Sequence, residues 1–325
     1  MLKKLFATVL MSFSAAAFAL PFGSQSVLVV EDDTGKILLE KNAGAVMPIA
    51  SLTKLMTAMV VLDARQDMDE LIEIDRSDVD TFKHSSSRVP VGSLISRRDV
   101  MQLALMSSDN RAAAALARTF PGGTPGFKAA VRHKIATLGM TQTVIEEPTG
   151  LSPRNRSTAG DLIKMAAASS RYSEITNMTT DSKDLINING RQVEYRNTNR
   201  LVGAKGWDIG LSKTGYIQEA GRCLIMNITA NGKNATMVLL NAGASSARIL
   251  DALNIRRFMS GEPVGRMVAK ASNRAPRMKA GSSRARIKAT SSRARIKASA
   301  SAGKIKVVKK RVTSKVKVTP KRRKN

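Results

Sequence analysis

The sequence predicts an α+β fold, in which both termini of a globular body supply the strands of one antiparallel sheet and helices cover that sheet. Three observations predict it. Strand-like apolar runs occupy residues 26–30 and 37–40, helical patterns fill much of residues 49–169, and strand-like runs return at residues 221–229 and 236–240. Because the two sets of strands lie at opposite ends of the body, we expect the sheet to form between them.

The predicted strands are joined in pairs by turns. Asp32-Asp33-Thr34-Gly35 separates the N-terminal pair and is typical of a hairpin turn. Asn231-Gly232 separates the C-terminal pair and is a strong β-hairpin motif. A further helix, predicted at residues 247–259, closes the body.

The first predicted helix is unusual because it is apolar on nearly every side. Pro48 precedes this helical pattern, which runs over residues 49–65. A helix that is apolar all round is typically buried. Ser51 and Lys54 are the polar exceptions near its start, and two such groups in a buried position need a functional reason.

The middle of the chain carries clear helix starts. Ser96 with Asp99, and Thr158 with Asp161, have the spacing of N-terminal caps. Residues 66–95 are polar and mixed, which is typical of loops with short strands. The patterns predict helices at residues 97–106, 111–118, 127–138 and 158–169.

The N-terminus has the composition of an export signal. Lys3 and Lys4 precede a short apolar run at residues 5–13, and Ala17 and Ala19 form a small-x-small cleavage site. The alternative is an uncleaved membrane anchor, but the run is short for a span of about 20 residues. We therefore expect a signal peptide at residues 1–19 that is removed on export.

The C-terminus is a basic segment of low complexity. Residues 266–325 hold 22 of the 53 Lys and Arg residues, and the last acidic residue is Glu262. Most of the formal net charge of +28 therefore belongs to this segment. We expect a globular domain at residues 20–265 and a disordered tail at residues 266–325.

The scarcity of cysteine and histidine excludes several kinds of site. Cys223 is the only cysteine, so an intramolecular disulfide is impossible, and its apolar neighbours predict a core residue. His84 lies in a polar loop and His133 stands between Arg132 and Lys134, so both are predicted to be surface residues. A Ser-His-Asp triad is thus weakly supported, and a His-rich metal site is nearly excluded.

Three polar clusters stand out instead. They are Ser51-Leu52-Thr53-Lys54 at the start of the buried helix, Ser108-Asp109-Asn110 between two helices, and Lys213-Thr214-Gly215 ahead of the C-terminal strands. Each of them occurs by chance, and the first two have a plain alternative reading as helix starts or caps. Their order and their predicted surroundings favour a single catalytic site.

The first cluster suggests how a serine can be activated without histidine. Residues three apart share a helix face, so Lys54 can reach the Ser51 hydroxyl. Lysine is a useful base only if burial or a second cation lowers its pKa, and Lys213 is the expected cation. The Ser51 backbone N–H is placed to stabilise an oxyanion.

These elements resemble the penicillin-recognising serine enzymes, which share Ser-x-x-Lys, Ser-x-Asn and Lys-Thr-Gly motifs in this order. Residues 47–57 and the stretch Pro148-Thr149-Gly150-Leu151-Ser152 are similar to the low-molecular-mass D-alanyl-D-alanine peptidases, peptidase family S11. Within that group the sequence most resembles the periplasmic D-alanyl-D-alanine endopeptidase type, which is penicillin-binding protein 7-like. The resemblance covers about residues 25–260.

The resemblance implies a fold like that of β-lactamases and DD-peptidases, and a role for each matching residue. Ser51 would form the acyl-enzyme and Lys54 would accept its proton. Ser108 and Asn110 would relay protons and orient the substrate amide. The implied substrate-binding residues are Lys213, Thr214, Gly215 and Tyr216, with the Tyr216 N–H completing the oxyanion hole.

The resemblance also implies the partners. These are peptidoglycan stem peptides as substrates and β-lactam antibiotics as covalent inhibitors, in the periplasm, with no cofactor or metal. A class A β-lactamase is the rival within the group, and it needs a deacylating glutamate, for which Glu147 is the candidate. The asparagine expected after it is missing from that signature, which favours a peptidase.

Three alternatives stay open on the sequence. The enzyme could be a D-alanyl-D-alanine carboxypeptidase, or a peptidase-like scaffold that only binds envelope polymers. The tail could tether the protein to an anionic envelope surface or serve only to increase solubility. After Phe258 the sequence has no aromatic residue for base stacking, and together with export this argues against nucleic acid as its partner.

Overall fold

The computed structural model describes residues 22–264. The predicted signal peptide at residues 1–19 and the predicted tail at residues 266–325 lie outside the described residues. The strands are β1 (Ser26–Glu31), β2 (Ile37–Lys41), β3 (Met47–Pro48), β4 (Leu71–Glu73), β5 (Leu94–Ser96), β6 (Arg156–Ser157), β7 (Lys183–Ile188), β8 (Arg191–Arg196), β9 (Asp208–Ile217), β10 (Gly221–Ala230) and β11 (Lys233–Ala242). The helices are α1 (Thr53–Asp63), α2 (Arg97–Leu105), α3 (Asn110–Arg118), α4 (Gly123–Thr137), α5 (Ala159–Ser169), α6 (Ser173–Thr180) and α7 (Ser245–Met259).

The main sheet joins the two ends of the body. Its strand order is β2-β1-β11-β10-β9, and every neighbouring pair is antiparallel. The contact between the ends is the β1–β11 pair, in which Leu28 lies opposite Val238. The α+β prediction, with an antiparallel sheet formed by both termini, is confirmed.

Helices cover both faces of this sheet, because alternate side chains of a strand point to opposite faces. Val27 and Val29 pack in one buried cluster with residues of α7, such as Ile255. Leu28 and Val238 point the other way, into a larger cluster that contains the buried side chains of α1, α2, α3 and α5. Helix α1, which carries Lys54, and helices α2 and α3, whose junction carries Ser108, belong to this second layer.

The expected helix starts and the C-terminal hairpin are present. The Ser96 hydroxyl accepts the Asp99 N–H at 3.1 Å, and the Thr158 hydroxyl accepts the Asp161 N–H at 3.1 Å. Asn231 and Gly232 join β10 to β11 with positive φ angles of 51° and 71°. Both positive angles suit the tight turn that this residue pair favours.

The structure corrects three boundaries. The first α-helix begins at Thr53 and not at residue 49, because Ala50 has φ +48° and only a short 3₁₀ turn, Ala50–Leu52, precedes it. Helix α4 starts at Gly123, four residues before the predicted start at Phe127. Lys213-Thr214-Gly215 lies inside the long edge strand β9 and does not precede the strands.

The sequence analysis missed helix α6, the β7–β8 hairpin and the two short strands β3 and β6. Helix α6 is short and follows α5 closely, so its pattern merges with that of its neighbour. The β7–β8 hairpin turns through Asn189 and Gly190, both with positive φ, which is the same motif as in the C-terminal hairpin. This motif was available in the sequence and was overlooked. Within residues 22–264, no helix is long and apolar enough to cross a membrane.

Candidate active site

Ser51 lies in a tight turn that two other segments approach closely. A Cβ atom at Gly150 would lie 1.9 Å from the Ala50 carbonyl oxygen, and one at Gly215 would lie 3.0 Å from that of Ile49. Only glycine allows such an approach of backbone to backbone. The turn that carries Ser51 is therefore held between the 147–152 segment and strand β9.

Lys54 lies one helical turn after Ser51 and is almost completely buried, with 1% of its surface exposed. Its Nζ donates to Ser51 Oγ at 2.9 Å, to Asn110 Oδ1 at 2.7 Å and to the Thr149 carbonyl at 2.6 Å. Asn110 and Thr149 thus fix the amine in position. In its neutral form, the amine can accept the Ser51 hydroxyl proton while it still donates to the other two groups.

The pKa of Lys54 is lowered to about 8, because burial disfavours its charged form. The carboxylates of Glu147 and Asp109 act against burial and raise this pKa. At pH 8, roughly half of the molecules therefore carry a neutral amine at this position. That is the state in which lysine can serve as a general base.

Lys213 is the second buried amine. Its Nζ donates to Ser108 Oγ at 2.8 Å and to the Thr214 carbonyl at 3.1 Å. Burial, and after it the charges of Lys54 and Arg248, hold the pKa of Lys213 well below its usual value.

The sequence analysis expected Lys213 to be the cause of the lowered pKa of Lys54, whereas burial is the main cause. Burial lowers the pKa of Lys54, and the repulsion between the two amines lowers that of Lys213. The physical reason is the neighbourhood of Lys54, where the Glu147 and Asp109 carboxylates favour its positive charge.

The Ser108-Asp109-Asn110 cluster forms the junction between α2 and α3. Ser108 has φ +60°, a left-handed conformation that costs a non-glycine residue about 1–3 kcal/mol. The Asp109 carboxylate caps α3 by accepting the Ala112 N–H at 3.0 Å. Ser108 meets Lys213 on one side of the site, and Asn110 meets Lys54 on the other.

Strand β9 supplies the opposite wall. It is an edge strand, hydrogen-bonded to β10 on one side only within the main sheet. The Thr214 hydroxyl lies 2.6 Å from the Thr198 hydroxyl, and the ring of Tyr216 is covered by the Arg222 guanidinium at 3.5 Å from its centroid. The free edge of β9 can therefore hydrogen-bond an extended substrate.

A cavity of about 300 Å³ lies between these elements. Six of the eight residues proposed from the sequence line it: Ser51, Ser108, Asn110, Thr214, Gly215 and Tyr216. The other two, Lys54 and Lys213, lie behind it and reach it through Ser51 and Ser108. The structure thus brings all eight residues together.

Other residues of this cavity were missed by the sequence analysis. They are Thr198, Arg222, Ser245 and Arg248. Arg248 is 7% exposed and donates to the Cys223 carbonyl at 3.1 Å, so it places a buried cation at the site. Its position in the first turn of a helix predicted to pack on the sheet was the available clue.

Glu147 organises the segment that supports Ser51 and Lys54. Its carboxylate accepts hydrogen bonds from the N–H groups of Thr149, Gly150 and Ser152, from the Thr149 hydroxyl and from the Asn155 side chain, at 2.6–3.2 Å. A carboxylate with so many donors has little capacity left to activate a water molecule. This argues against the role that a class A β-lactamase would require.

The remaining candidates for chemistry do not line the catalytic cavity. His84 and His133 are exposed, as predicted. Cys223 is buried, and burial raises the pKa of its thiol to about 11, so it is an inert core residue. Among residues 22–264, no group of three His, Cys, Asp or Glu side chains could hold a metal ion.

The geometry is therefore that of a serine acyl-transfer enzyme, with Lys54 within reach of the Ser51 hydroxyl to act as its base. Residues 13–244 match the family described as D-alanyl-D-alanine carboxypeptidase, peptidase family S11. The chain belongs to this family. The resemblance inferred from the motifs is thus confirmed, as is the DD-peptidase-like fold.

Curated relatives and solved structures agree with this assignment. The D-alanyl-D-alanine endopeptidases of Pseudomonas aeruginosa and Escherichia coli are 44% and 42% identical to this chain over 238 residues, which are 73% of this chain and 77% of each relative. The structure is similar to penicillin-binding protein D2 from Listeria monocytogenes in its ampicillin-bound form. That similarity has a TM-score of 0.64 and 28% identity, and it covers 75% of this chain and 99% of the other.

Proposed function

We propose that the protein is a serine D-alanyl-D-alanine endopeptidase that hydrolyses the D-alanine cross-links of peptidoglycan through an acyl-enzyme. The observation that carries this proposal is the contact of 2.9 Å between Lys54 Nζ and Ser51 Oγ inside a buried site. The endopeptidases of P. aeruginosa and E. coli, at 44% and 42% identity, support this substrate class.

The first half-reaction forms the acyl-enzyme. The neutral Lys54 amine takes the Ser51 hydroxyl proton while Ser51 Oγ attacks the D-alanine carbonyl carbon. The backbone N–H groups of Ser51 and Tyr216 hold the oxygen that becomes negative. The C–N bond then breaks, the leaving amine receives a proton relayed through Lys54 and Ser108, and the D-alanyl ester of Ser51 remains.

The second half-reaction hydrolyses the ester. A water molecule attacks the ester carbonyl carbon and gives a proton to Lys54. The C–Oγ bond then breaks, and Lys54 returns this proton to Ser51 Oγ. Asn110 orients the amide of the acyl chain in both half-reactions, whereas Lys213 and Thr214 bind the carboxylate beside the leaving amine until the C–N bond breaks. A penicillin presents a similar carboxylate, and attack of Ser51 Oγ on its β-lactam carbonyl opens the ring and forms a penicilloyl ester of Ser51. The ring amine stays attached to this acyl group and is not released, which explains covalent inhibition.

Fluorescent penicillin tests the acyl-enzyme directly. The purified protein should acquire a covalent label, and Ser51→Ala should acquire none while its circular dichroism and melting temperature stay close to those of the parent. An unlabelled parent protein would contradict the enzyme assignment. It would favour the polymer-binding alternative, in which the peptidase body is inactive.

Carboxypeptidase activity is the second candidate, because the family is described by that activity. Digestion of isolated muropeptides separates the two. Conversion of cross-linked dimers to monomers indicates an endopeptidase, whereas release of free D-alanine from pentapeptides indicates a carboxypeptidase. We expect dimers to be the better substrate.

We further propose that the enzyme acts in the periplasm after removal of residues 1–19. The basic segment at residues 266–325, with 22 Lys and Arg residues, would tether it to an anionic envelope surface. Deletion of this segment should release the protein from cell envelopes at low salt, and high salt should release the full-length protein as well. Equal retention of both proteins under both conditions would contradict the tether.

A further inference from the structure

A second, polar cavity lies directly beside the catalytic one. It has a volume of about 550 Å³ and is lined by residues 86–88, 107–109 and 194–196. These segments are a loop before α2, the junction of α2 and α3, and the end of the β7–β8 hairpin. We call it the Ser108 cavity, because Ser108 lines both this cavity and the catalytic one.

The position of the Ser108 cavity relates it to the leaving group. Ser108 accepts a hydrogen bond from Lys213, the residue proposed to bind the carboxylate beside the leaving amine. A different cavity, of about 560 Å³, meets the catalytic one at Asn110, which contacts Lys54. The two sides of a scissile bond extend in opposite directions from the nucleophile. The Ser108 cavity is on the Lys213 side, where the leaving peptide continues.

The charges of the Ser108 cavity leave one cation free. Glu194 forms ion pairs with Arg196 at 2.7 Å and with Lys183 at 3.2 Å. Asp109 caps α3 and accepts the Ser87 hydroxyl at 2.7 Å. Arg88, by contrast, has no carboxylate partner within residues 22–264, and its guanidinium lies 4.0 Å from the centroid of the Tyr195 ring.

Tyr195 adds a free hydrogen-bonding group. Its side chain is only 2% exposed, and its hydroxyl has no hydrogen-bond partner in the described part of the chain. A buried hydroxyl without a partner destabilises the folded protein, and a ligand that accepts its hydrogen bond removes that cost. A stacked arginine beside an unsatisfied hydroxyl forms a pair of donors suited to a carboxylate.

We propose that the Ser108 cavity binds the leaving stem peptide of a cross-linked dimer, with Arg88 and Tyr195 recognising its free C-terminal carboxylate. This inference rests on the proposed endopeptidase function, and it names the residues that would make a cross-linked dimer a better substrate than a single stem peptide. A carboxypeptidase releases a single D-alanine, which the catalytic cavity can hold. An endopeptidase must also hold a whole peptide beyond the scissile bond, and that peptide keeps a free carboxylate because the cross-link is made through a side-chain amine.

Two synthetic cross-linked dimers provide the test, one with a C-terminal carboxylate on the leaving peptide and one with a carboxamide. In the full-length protein, Arg88→Gln and Tyr195→Phe should each lower kcat/KM for the acid dimer by roughly tenfold, the effect of losing a hydrogen bond to a charged group. The kcat/KM of the parent protein should be roughly tenfold lower for the amide dimer than for the acid dimer. On the amide dimer, each of the two variants should have nearly the same kcat/KM as the parent. Penicillin acylation should stay within about twofold of the parent, since penicillin has no leaving peptide.

Arg171→Gln is the matched control, because Arg171 is an exposed arginine outside the cavity. It should leave all of these rates unchanged. Parent-like cleavage of the acid dimer by Arg88→Gln, or equal losses on the acid and amide dimers, would overturn the inference. A parallel fall in penicillin acylation would also overturn it, because it would indicate a merely structural role. A parent protein that is labelled by penicillin but leaves both dimers intact would instead contradict the endopeptidase function itself, and the inference with it.

Discussion

The Nζ of Lys54 lies 2.9 Å from the Oγ of Ser51, and the lysine side chain is 1% exposed. The distance allows a proton to pass from Ser51 to Lys54. Burial lowers the pKa of Lys54 to about 8, so that part of the lysine is neutral and can accept this proton near neutral pH. The same packing therefore positions the base and sets its pKa.

We expect the rate of penicillin acylation to rise with pH through a midpoint near 8. The pKa of Lys54 is lowered to about 8, and only its neutral form can accept the Ser51 proton. The base is therefore mostly charged at pH 6 and mostly neutral at pH 10. Stopped-flow measurements with a fluorescent penicillin over this range test it, and a rate independent of pH from 6 to 10 would exclude Lys54 as the base.

Lys213→Met should weaken binding without moving that midpoint. Loss of the ammonium group removes the partner of the ligand carboxylate, so the concentration of penicillin for half-maximal acylation should rise by roughly tenfold or more. Since burial is the main cause of the low pKa of Lys54, the midpoint should stay near 8. The methionine keeps the site filled. A midpoint that moves upward by a full pH unit would restore Lys213 as the cause.

Glu147→Gln should slow acylation and deacylation together. The carboxylate holds Thr149 and Gly150, which in turn contact Lys54 and the Ser51 turn. We expect the free energy of unfolding to fall by about 1–3 kcal/mol, because the half-buried carboxylate loses its charge and one of the two oxygens that accept these hydrogen bonds. If the acyl-enzyme instead accumulates after acylation at the parent rate, Glu147 is a deacylating base and the rival β-lactamase mechanism applies.

Gly150→Ala should damage both stability and activity. Its φ is +84°, and the added Cβ would lie 1.9 Å from the Ala50 carbonyl oxygen, so the turn that carries Ser51 has to move. The positive φ costs about 1–2 kcal/mol and overpacking another 1–3 kcal/mol. Gly190→Ala is the control, because it has φ +80° and no atom within 4 Å of the added Cβ. In urea unfolding, Gly190→Ala should lower the free energy of unfolding by only about 1–2 kcal/mol, and Gly150→Ala should lower it by the sum of both terms. Equal losses of stability in the two variants would contradict the close approach.

Much of the fold was predictable because its signals are local. The caps at Ser96 and Thr158, the turn at Asn231-Gly232 and the continuous apolar run of β1 depend on residues within a few positions of each other. The boundary of α1 was not predictable in this way. Ala50 is held at a positive φ, a conformation that its own side chain disfavours.

The candidate site also has features that local sequence predicts and features that depend on tertiary contacts. The sequence by itself determined which eight residues to consider and that Ser51 and Lys54 share a helical turn, since that pair depends only on helix geometry. Only the tertiary structure showed the hydrogen bond from Lys213 to Ser108, which are 105 residues apart, and the one from Lys54 to the Thr149 carbonyl, which are 95 residues apart. It also decided that burial is the main cause of the low pKa of Lys54. The physical reason is that burial and long-range contacts arise from the packing of whole segments, and no spacing along the chain encodes them.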